Sequence, residues 1–206
     1  MLKKEYKVFG GFLSAPWVKL TFKQVKGLAE KKSEGYVYNC LKRFVEDGLL
    51  LEERVGNVIL YRLNLSSIRT CSFAGFVAEH IARGKLQIPF SDLERIMRKM
   101  PTPYYSLLVS GSYAVNRQKN GSDLDVVVLC DDGLEPKKVY AELRHDCEMN
   151  IPPIHLYVFT KSEFLSMLLD DKVNYGKETT KNNVIITGGK EYYCILQEAM
   201  RNGFIG

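Results

Sequence analysis

The chain has 206 residues, of which 46% are hydrophobic and 26% charged, with a formal net charge of +5. This composition supplies ample apolar surface for a core, so it excludes a largely disordered chain, and the length favours one or two domains. No apolar run reaches the ~18–20 residues that a membrane span needs, and residues 1–6 are too polar for a signal peptide. The five cysteines include no Cys-x-x-Cys pair. We therefore expect a cytoplasmic protein with reduced thiols and no membrane partner.

The N-terminal third begins with three predicted helices. Apolar side chains recur at helical spacing over residues 4–13, which predicts the first. Thr21 is a suitable N-cap for a second helix over residues 22–30, and Ser33 for a third that ends before Gly48. We therefore expect a compact helical cluster here.

A β-hairpin is predicted after the helices. Residues 49–54 and 58–63 have strand character and are separated by a Gly56-Asn57 turn. Three helices followed by a hairpin resemble a winged helix-turn-helix, and we assign residues 1–65 to such a DNA-binding domain. The charge agrees: residues 1–65 hold 12 Lys and Arg against 7 Asp and Glu, whereas the remainder holds 17 of each, so the basic excess belongs to this part.

The resemblance implies that the third helix enters the major groove of duplex DNA and that the hairpin contacts the backbone. The candidate DNA-contacting residues are Ser33, Tyr36, Asn39, Lys42, Arg43, Arg54 and Asn57. Asn can read adenine, whereas Lys and Arg can take guanine or phosphate. Two alternatives stay open: a merely solvated helix face, and a protein-interaction module. The glutamates at positions 34, 46, 52 and 53 weaken the DNA hypothesis, since each would repel phosphate.

Residues 66–103 are predicted to form a helical linker. The small polar residues Ser66 and Ser67 close the first domain, and helical patterns follow over residues 72–83 and 91–100. Pro101 ends the segment. Such helices could also support a homodimer.

The third segment, residues 104–206, carries the most informative motif. Residues 104–110 read as a buried strand that leads into Gly111-Ser112 and a predicted helix over residues 113–117, an arrangement suited to cradling a phosphate. A second strand then opens with Ser122-Asp123-Leu124-Asp125. Residues i and i+2 of a strand face the same side about 7 Å apart, so Asp123 and Asp125 converge on one point, where Mg²⁺ is the natural occupant.

Gly-Ser, nine intervening residues and Ser-Asp-x-Asp resemble the polymerase-β-like nucleotidyltransferase superfamily, and the spacing is similar to that of its minimal branch. The resemblance covers about residues 90–200. It implies that Gly111 and Ser112 bind the triphosphate, that Asp123 and Asp125 are catalytic and ligate Mg²⁺, and that Ser122 helps to bind the nucleotide at the start of the strand. The expected fold class is α+β, with a winged helix-turn-helix, a short helical linker and a mixed sheet flanked by helices.

The sequence departs from this family pattern at two places. Val115 and Asn116 stand where the minimal branch usually has Arg-Gly, which leaves Arg117 as the replacement contact to the nucleotide. The family also supplies a third carboxylate from a later strand, but the candidate strand, residues 154–159, offers His155 and Tyr157 instead. Neither is a good hard oxygen ligand, although His155 is a candidate base at neutral pH.

Two functions follow from these expectations. The first is a DNA-binding protein whose nucleotidyltransferase-fold domain binds Mg²⁺ and an NTP and transfers NMP to an RNA or protein acceptor. The alternative is a transcriptional regulator whose inactive nucleotidyltransferase-like domain senses nucleotide or binds a partner protein, as an antitoxin does.

Overall fold

A computed structural model describes residues 4–30 and 33–206 of the protein. These residues form an α+β fold with ten helices and two sheets. Residues 1–3 of the polar start lie outside this described part. Within it, no helix is both long enough and apolar enough to cross a membrane.

The N-terminal elements follow the predicted order. They are α1 (Tyr6–Gly10), β1 (Leu20–Thr21), α2 (Phe22–Leu28), α3 (Glu34–Glu46), β2 (Leu50–Val55) and β3 (Val58–Leu63). The Thr21 hydroxyl oxygen accepts a hydrogen bond from the backbone N–H of Gln24, and Ser33 caps α3 in the same way. Helix α1 ends at Gly10, earlier than predicted, because two consecutive glycines have low helix propensity. The three strands form an antiparallel sheet in the order β1-β3-β2.

Eleven further elements are described beyond this sheet. They are α4 (Ile68–Ala82), α5 (Phe90–Met97), β4 (Tyr105–Val109), α6 (Gly111–Ala114), β5 (Leu124–Cys130), α7 (Pro136–Glu148), β6 (Ile154–Thr160), α8 (Lys161–Leu169), α9 (Tyr175–Lys181), β7 (Val184–Thr187) and α10 (Gly189–Arg201). Sequence reasoning did not predict α7 or α9. Both helices have a residue typical of a helix start: Pro136 stands in the first turn of α7, and Asn174 is the N-cap of α9.

The second sheet has the strand order β6-β5-β4-β7. Strand β4 is antiparallel to both of its neighbours, whereas β5 and β6 are parallel and are joined by α7. The sheet is therefore mixed. Its two central strands, β4 and β5, are covered on both faces, which explains why residues 126–129 are all apolar and buried.

Alternate residues of β5 enter two different cores. Val127 lies in a core with Phe164 of α8 and Ile195 of α10. Val126 faces the other side, in a core with Leu93 of α5 and Leu143 of α7. This alternation also determines that the side chain of Asp125 lies on the α8 and α10 side of the sheet.

The first core continues into the N-terminal elements. The Phe9 ring of α1 packs edge-on against Phe44 of α3 at 5.4 Å and Phe73 of α4 at 4.8 Å between ring centroids. Helix α4 also lies so close to α10 that a Cβ on Gly75 would overlap the backbone at Gly189. The first predicted linker helix thus belongs to a shared core. The proposed boundaries at residues 65 and 103 stay predictions.

Candidate functional site

The Gly111 turn lies directly against the Asp125 carboxylate. Gly111 follows β4 with φ +62°, and a Cβ there would overlap Oδ2 of Asp125. The backbone N–H of Ser110 donates to the carbonyl oxygen of Asp125 at 2.9 Å, which ties the turn to β5. Glycine is therefore required at position 111 both by its left-handed backbone and by the close approach of the carboxylate.

The helix after this turn is shorter than predicted. Helix α6 contains only Gly111–Ala114, whereas the pattern predicted residues 113–117. Asn116 has φ +55°, a conformation that does not continue a right-handed helix. A single turn has few aligned peptide dipoles, so the phosphate cradle expected from a helix N-terminus is weaker than the sequence indicated.

Two carboxylates occupy the head of β5. Asp123 is exposed just before the strand, and Asp125, the second strand residue, keeps 28% of its side chain exposed. Burial raises the pKa of Asp125; the nearby His155 opposes the shift, and the negative charge of Asp123 adds to it. The ionised form of Asp125 is thus disfavoured in the ligand-free protein, and a bound cation would relieve this cost.

The parallel register of β5 and β6 places His155 beside Asp125. His155 Nδ1 lies 3.6 Å from Asp125 Oδ1, and the Tyr157 hydroxyl is hydrogen-bonded to the same nitrogen at 3.2 Å. Across residues 4–30 and 33–206, no group of three or more His, Cys, Asp or Glu side chains could hold a metal ion. Glu148, the nearest acidic residue before β6 in the sequence, lies in the last turn of α7, where its carboxylate is 2.6 Å from Nε of Arg144.

Sequence reasoning missed the contact by which Tyr175 and Ser110 join this site. Tyr175, the first residue of α9, is hydrogen-bonded through its hydroxyl to Oγ of Ser110 at 2.9 Å. Its ring packs on Tyr157 with 4.2 Å between centroids, and burial raises the pKa of its hydroxyl. The N-cap signal of Asn174 could have located the helix, but no local pattern pointed to its contact with β4.

The other predicted nucleotide contacts surround the turn. The Ser112 side chain is partly buried within α6, and its carbonyl oxygen accepts the backbone N–H of Arg117 at 2.9 Å. Arg117 is exposed. The Oγ of Ser122 accepts the backbone N–H of Lys119 at 2.9 Å, so Ser122 closes the turn before β5. Arg117 thus remains accessible to a ligand, whereas the Ser122 hydroxyl already has a structural partner.

The donor set at this site fits one Mg²⁺ that arrives with a nucleotide. Mg²⁺ commonly takes one or two protein carboxylates and completes its octahedral shell with phosphate oxygens and water. Asp123 and Asp125 can supply the carboxylates, and the missing Cβ at Gly111 makes room for Oδ2 of Asp125 itself. A three-carboxylate cage is not available from these residues.

The predicted DNA-contacting residues of α3 differ in their surroundings. Asn39 and Lys42 are exposed. The Ser33 hydroxyl oxygen is engaged as the N-cap, and Tyr36 is partly buried, with burial raising its pKa to about 12. Arg43 Nη1 lies 2.6 Å from Glu5 Oε1. Asn39 and Lys42 are therefore the α3 candidates least constrained by neighbouring groups, although Lys42 lies 3.7 Å from a glutamate one turn away.

The hairpin tip is also exposed. Arg54 donates from Nε to the carbonyl oxygen of Gly56 at 3.2 Å, and Asn57 is open to solvent. Three of the four glutamates that weakened the DNA hypothesis lie beside lysines: Glu34 is 2.6 Å from Lys26, Glu46 is 3.7 Å from Lys42, and Glu53 is 2.5 Å from Lys19. This pairing offsets their repulsion of phosphate, but it also engages three of the lysines.

Comparison with known proteins adds no relative. No protein-family model, curated protein or solved structure matches the chain. The function proposed below therefore rests on the residues of this chain.

Proposed function

We propose that this protein binds duplex DNA through its N-terminal part and a Mg²⁺-bound nucleoside triphosphate through its C-terminal part. The observation that carries the nucleotide proposal is the Gly111 turn held against the Asp125 carboxylate, with Asp123 two residues earlier. The missing Cβ lets the carboxylate of Asp125 lie against the turn, and carboxylates at the head of this strand favour a cation that would join them to phosphate oxygens.

The order of elements supports both halves of the proposal. Three helices, followed by strands that complete a small antiparallel sheet in the order β1-β3-β2, are what a winged helix-turn-helix requires. The strand, Gly-Ser turn, single helical turn and acidic strand of β4, α6 and β5 have the order expected for a nucleotidyltransferase fold.

Asp123 and Asp125 would hold the Mg²⁺, which when bound would neutralise charge on the triphosphate. Gly111 and Ser112 would face the phosphates, and Arg117 is accessible for a further contact. The triphosphate and its cation would thus lie at the end of the sheet where β4 finishes and β5 begins.

NMP transfer would require more than binding. An acceptor hydroxyl would form a new bond to the α-phosphorus, the bond from the α-phosphorus to the bridging oxygen of the β-phosphate would break, and pyrophosphate would leave. The hydroxyl proton needs a base, and His155, 3.6 Å from Asp125, is the nearest described candidate on β6. RNA and a partner protein are two acceptor classes that carry such hydroxyls.

The second candidate function is a regulator that binds nucleotide without turnover. The observation that favours it is the shared core, in which α4 contacts both α1 and α10. A change in packing on nucleotide binding would reach the proposed DNA-binding helices through these contacts. His155 in place of a third carboxylate favours it as well. A partner protein acting on the same surface, as in an antitoxin, is a variant of this candidate.

Thermal unfolding with ATP, with and without Mg²⁺, tests the nucleotide proposal. Mg²⁺-ATP is expected to stabilise the wild type and the matched control Asp131→Asn, which changes an exposed aspartate beyond the far end of β5, but not Asp123→Asn. Absence of Mg²⁺-dependent stabilisation at millimolar nucleotide would overturn the proposal. Incubation with labelled NTP, Mg²⁺ and cell extract then separates the candidates, because only transfer labels an RNA or protein.

Salt-dependent binding to duplex DNA tests the N-terminal proposal. Lys42→Ala is expected to weaken binding and to reduce the slope of log K against log salt by about 0.9, the value for one lost phosphate contact. Lys137→Ala, which removes an exposed lysine on α7, is expected to change neither. Equal binding by both variants and the wild type would favour a protein-interaction module.

A further inference from the structure

Three aromatic side chains form a stacked column beside the candidate nucleotide site. The His155 and Tyr157 rings are 4.6 Å apart between centroids with 39° between their planes, and Tyr157 and Tyr175 are 4.2 Å apart with 30°. Both contacts are tilted, between parallel stacking and an edge-to-face arrangement. We call His155, Tyr157 and Tyr175 the aromatic column.

The column begins where the phosphate site ends. Asp125 lies between the two features: its Oδ2 occupies the space that a Cβ on Gly111 would fill, and its Oδ1 lies 3.6 Å from Nδ1 of His155. If the phosphates of a nucleotide contact the Gly111 turn, its ribose and base can therefore extend past the Asp125 carboxylate towards His155.

The inner part of the column is held from several directions. The Tyr175 hydroxyl is bonded to Ser110, the residue just before the turn, and the Tyr157 hydroxyl is bonded to His155. Both tyrosine rings also pack against the first core, and Phe159 lies 6.3 Å from Tyr175 between centroids. The rings are therefore ordered before a ligand binds, which reduces the entropic cost of stacking on them.

The outer end of the column is open. The His155 side chain keeps 60% of its surface exposed, although its ring packs against that of Tyr157. Core packing accounts for Tyr157 and Tyr175, but it does not account for an exposed ring at the end of the stack. A flat ligand placed on His155 would extend the column by one ring and bury that face.

We propose that the aromatic column stacks the nucleobase of the nucleoside triphosphate bound at Gly111 and Asp125. This inference rests on the proposed nucleotide function and adds the base-binding part of the site. Stacking is tolerant of base identity because every nucleobase has a π-face, so the column favours nucleotides over bare polyphosphates rather than one base over another. His155 and Tyr157, which stand on the strand where a third carboxylate was expected, thus acquire a binding role.

The test compares Mg²⁺-ATP with Mg²⁺-tripolyphosphate, which has the phosphates but no base. Isothermal titration of the full chain is expected to show that His155→Ala weakens ATP binding about fivefold or more beyond any change in tripolyphosphate binding. His155→Phe keeps a flat ring without the imidazole nitrogens and is expected to retain most of the ATP affinity. In parallel, the fluorescence of 2-aminopurine riboside triphosphate should be quenched by the wild type and by His155→Phe, but not by His155→Ala.

Three results would overturn the column's role. Equal losses for ATP and tripolyphosphate in both variants would mean that His155 acts on the phosphates or the cation. Unchanged ATP affinity in His155→Ala, with the wild type binding ATP tightly, would mean that the base lies elsewhere. If the wild type binds neither ligand, the proposed nucleotide function itself fails, and the column's role fails with it. Unfolding midpoints of the variants show whether each remains folded, as expected for a change at an exposed side chain.

Discussion

Replacing Gly111 by alanine tests the feature on which the nucleotide proposal depends. The backbone at position 111 has φ +62°, so an L-residue there costs roughly 1–2 kcal/mol. The new Cβ would also overlap Oδ2 of Asp125, and because that atom ends a flexible side chain, the carboxylate is expected to turn away. Gly111→Ala should therefore lose stability and displace the carboxylate oxygen that we propose to bind the cation.

Gly121→Ala is a matched control in the same segment. Gly121 has φ +84°, but a Cβ there meets nothing within 4 Å. It carries the backbone strain without the overlap, so it should lower the free energy of unfolding by the same roughly 1–2 kcal/mol. For a chain of this size that corresponds to a fall in Tm of roughly 2–8 °C.

Thermal unfolding with Mg²⁺-ATP separates strain from site damage. At a nucleotide concentration of about 100 times Kd, binding adds about 2.7 kcal/mol, which raises Tm by roughly 5–11 °C. The wild type and Gly121→Ala should show this rise, whereas Gly111→Ala should not. An equal rise in both alanine variants would refute the reasoning, because it would show that the contact between Gly111 and Asp125 plays no part in binding.

Three further outcomes are expected. Because burial raises the pKa of Asp125, the charged form is disfavoured in the folded state. Asp125→Asn should therefore be at least as stable as the wild type at neutral pH, and it should lose this advantage below about pH 4, where the wild-type carboxyl is also neutral. Urea unfolding at a series of pH values measures both. Glu5→Gln removes the partner of Arg43, so it should tighten duplex DNA binding and steepen its salt slope by about 0.9 in a titration; weaker binding would mean that Arg43 needs Glu5 for its orientation. Phe9→Ala should lower the free energy of unfolding by about 3–5 kcal/mol and keep a single calorimetric transition, because Phe9 lies in the core that joins α1 and α4. Two separate transitions would contradict a shared core.

Local patterns predicted much of the secondary structure. The caps at Thr21 and Ser33 and the turn at Gly56 involve groups within a few residues of one another, so short-range chemistry is enough to place them. The same holds for Asp125 at the head of β5, since apolar residues 126–129 identify the strand that carries it. The bounds predicted for helix α6 were wrong because the left-handed backbone at Asn116 prevents the helix from continuing to residue 117. Asparagine adopts that conformation without a strong sequence signal.

The sequence by itself thus determined the Gly111-Ser112 turn and the Asp123 and Asp125 pair as the candidate phosphate and cation site. Only the tertiary structure placed His155 beside Asp125, because that neighbour depends on the parallel register of β5 and β6 across the intervening α7. The contact of Tyr175 with Ser110 joins residues 65 positions apart. The packing of α4 into the shared core was decided in the same way. Local periodicity specifies which face of an element is apolar, but long-range packing determines what that face contacts. For this reason the aromatic residues beside Asp123 and Asp125 could be identified only from the tertiary structure.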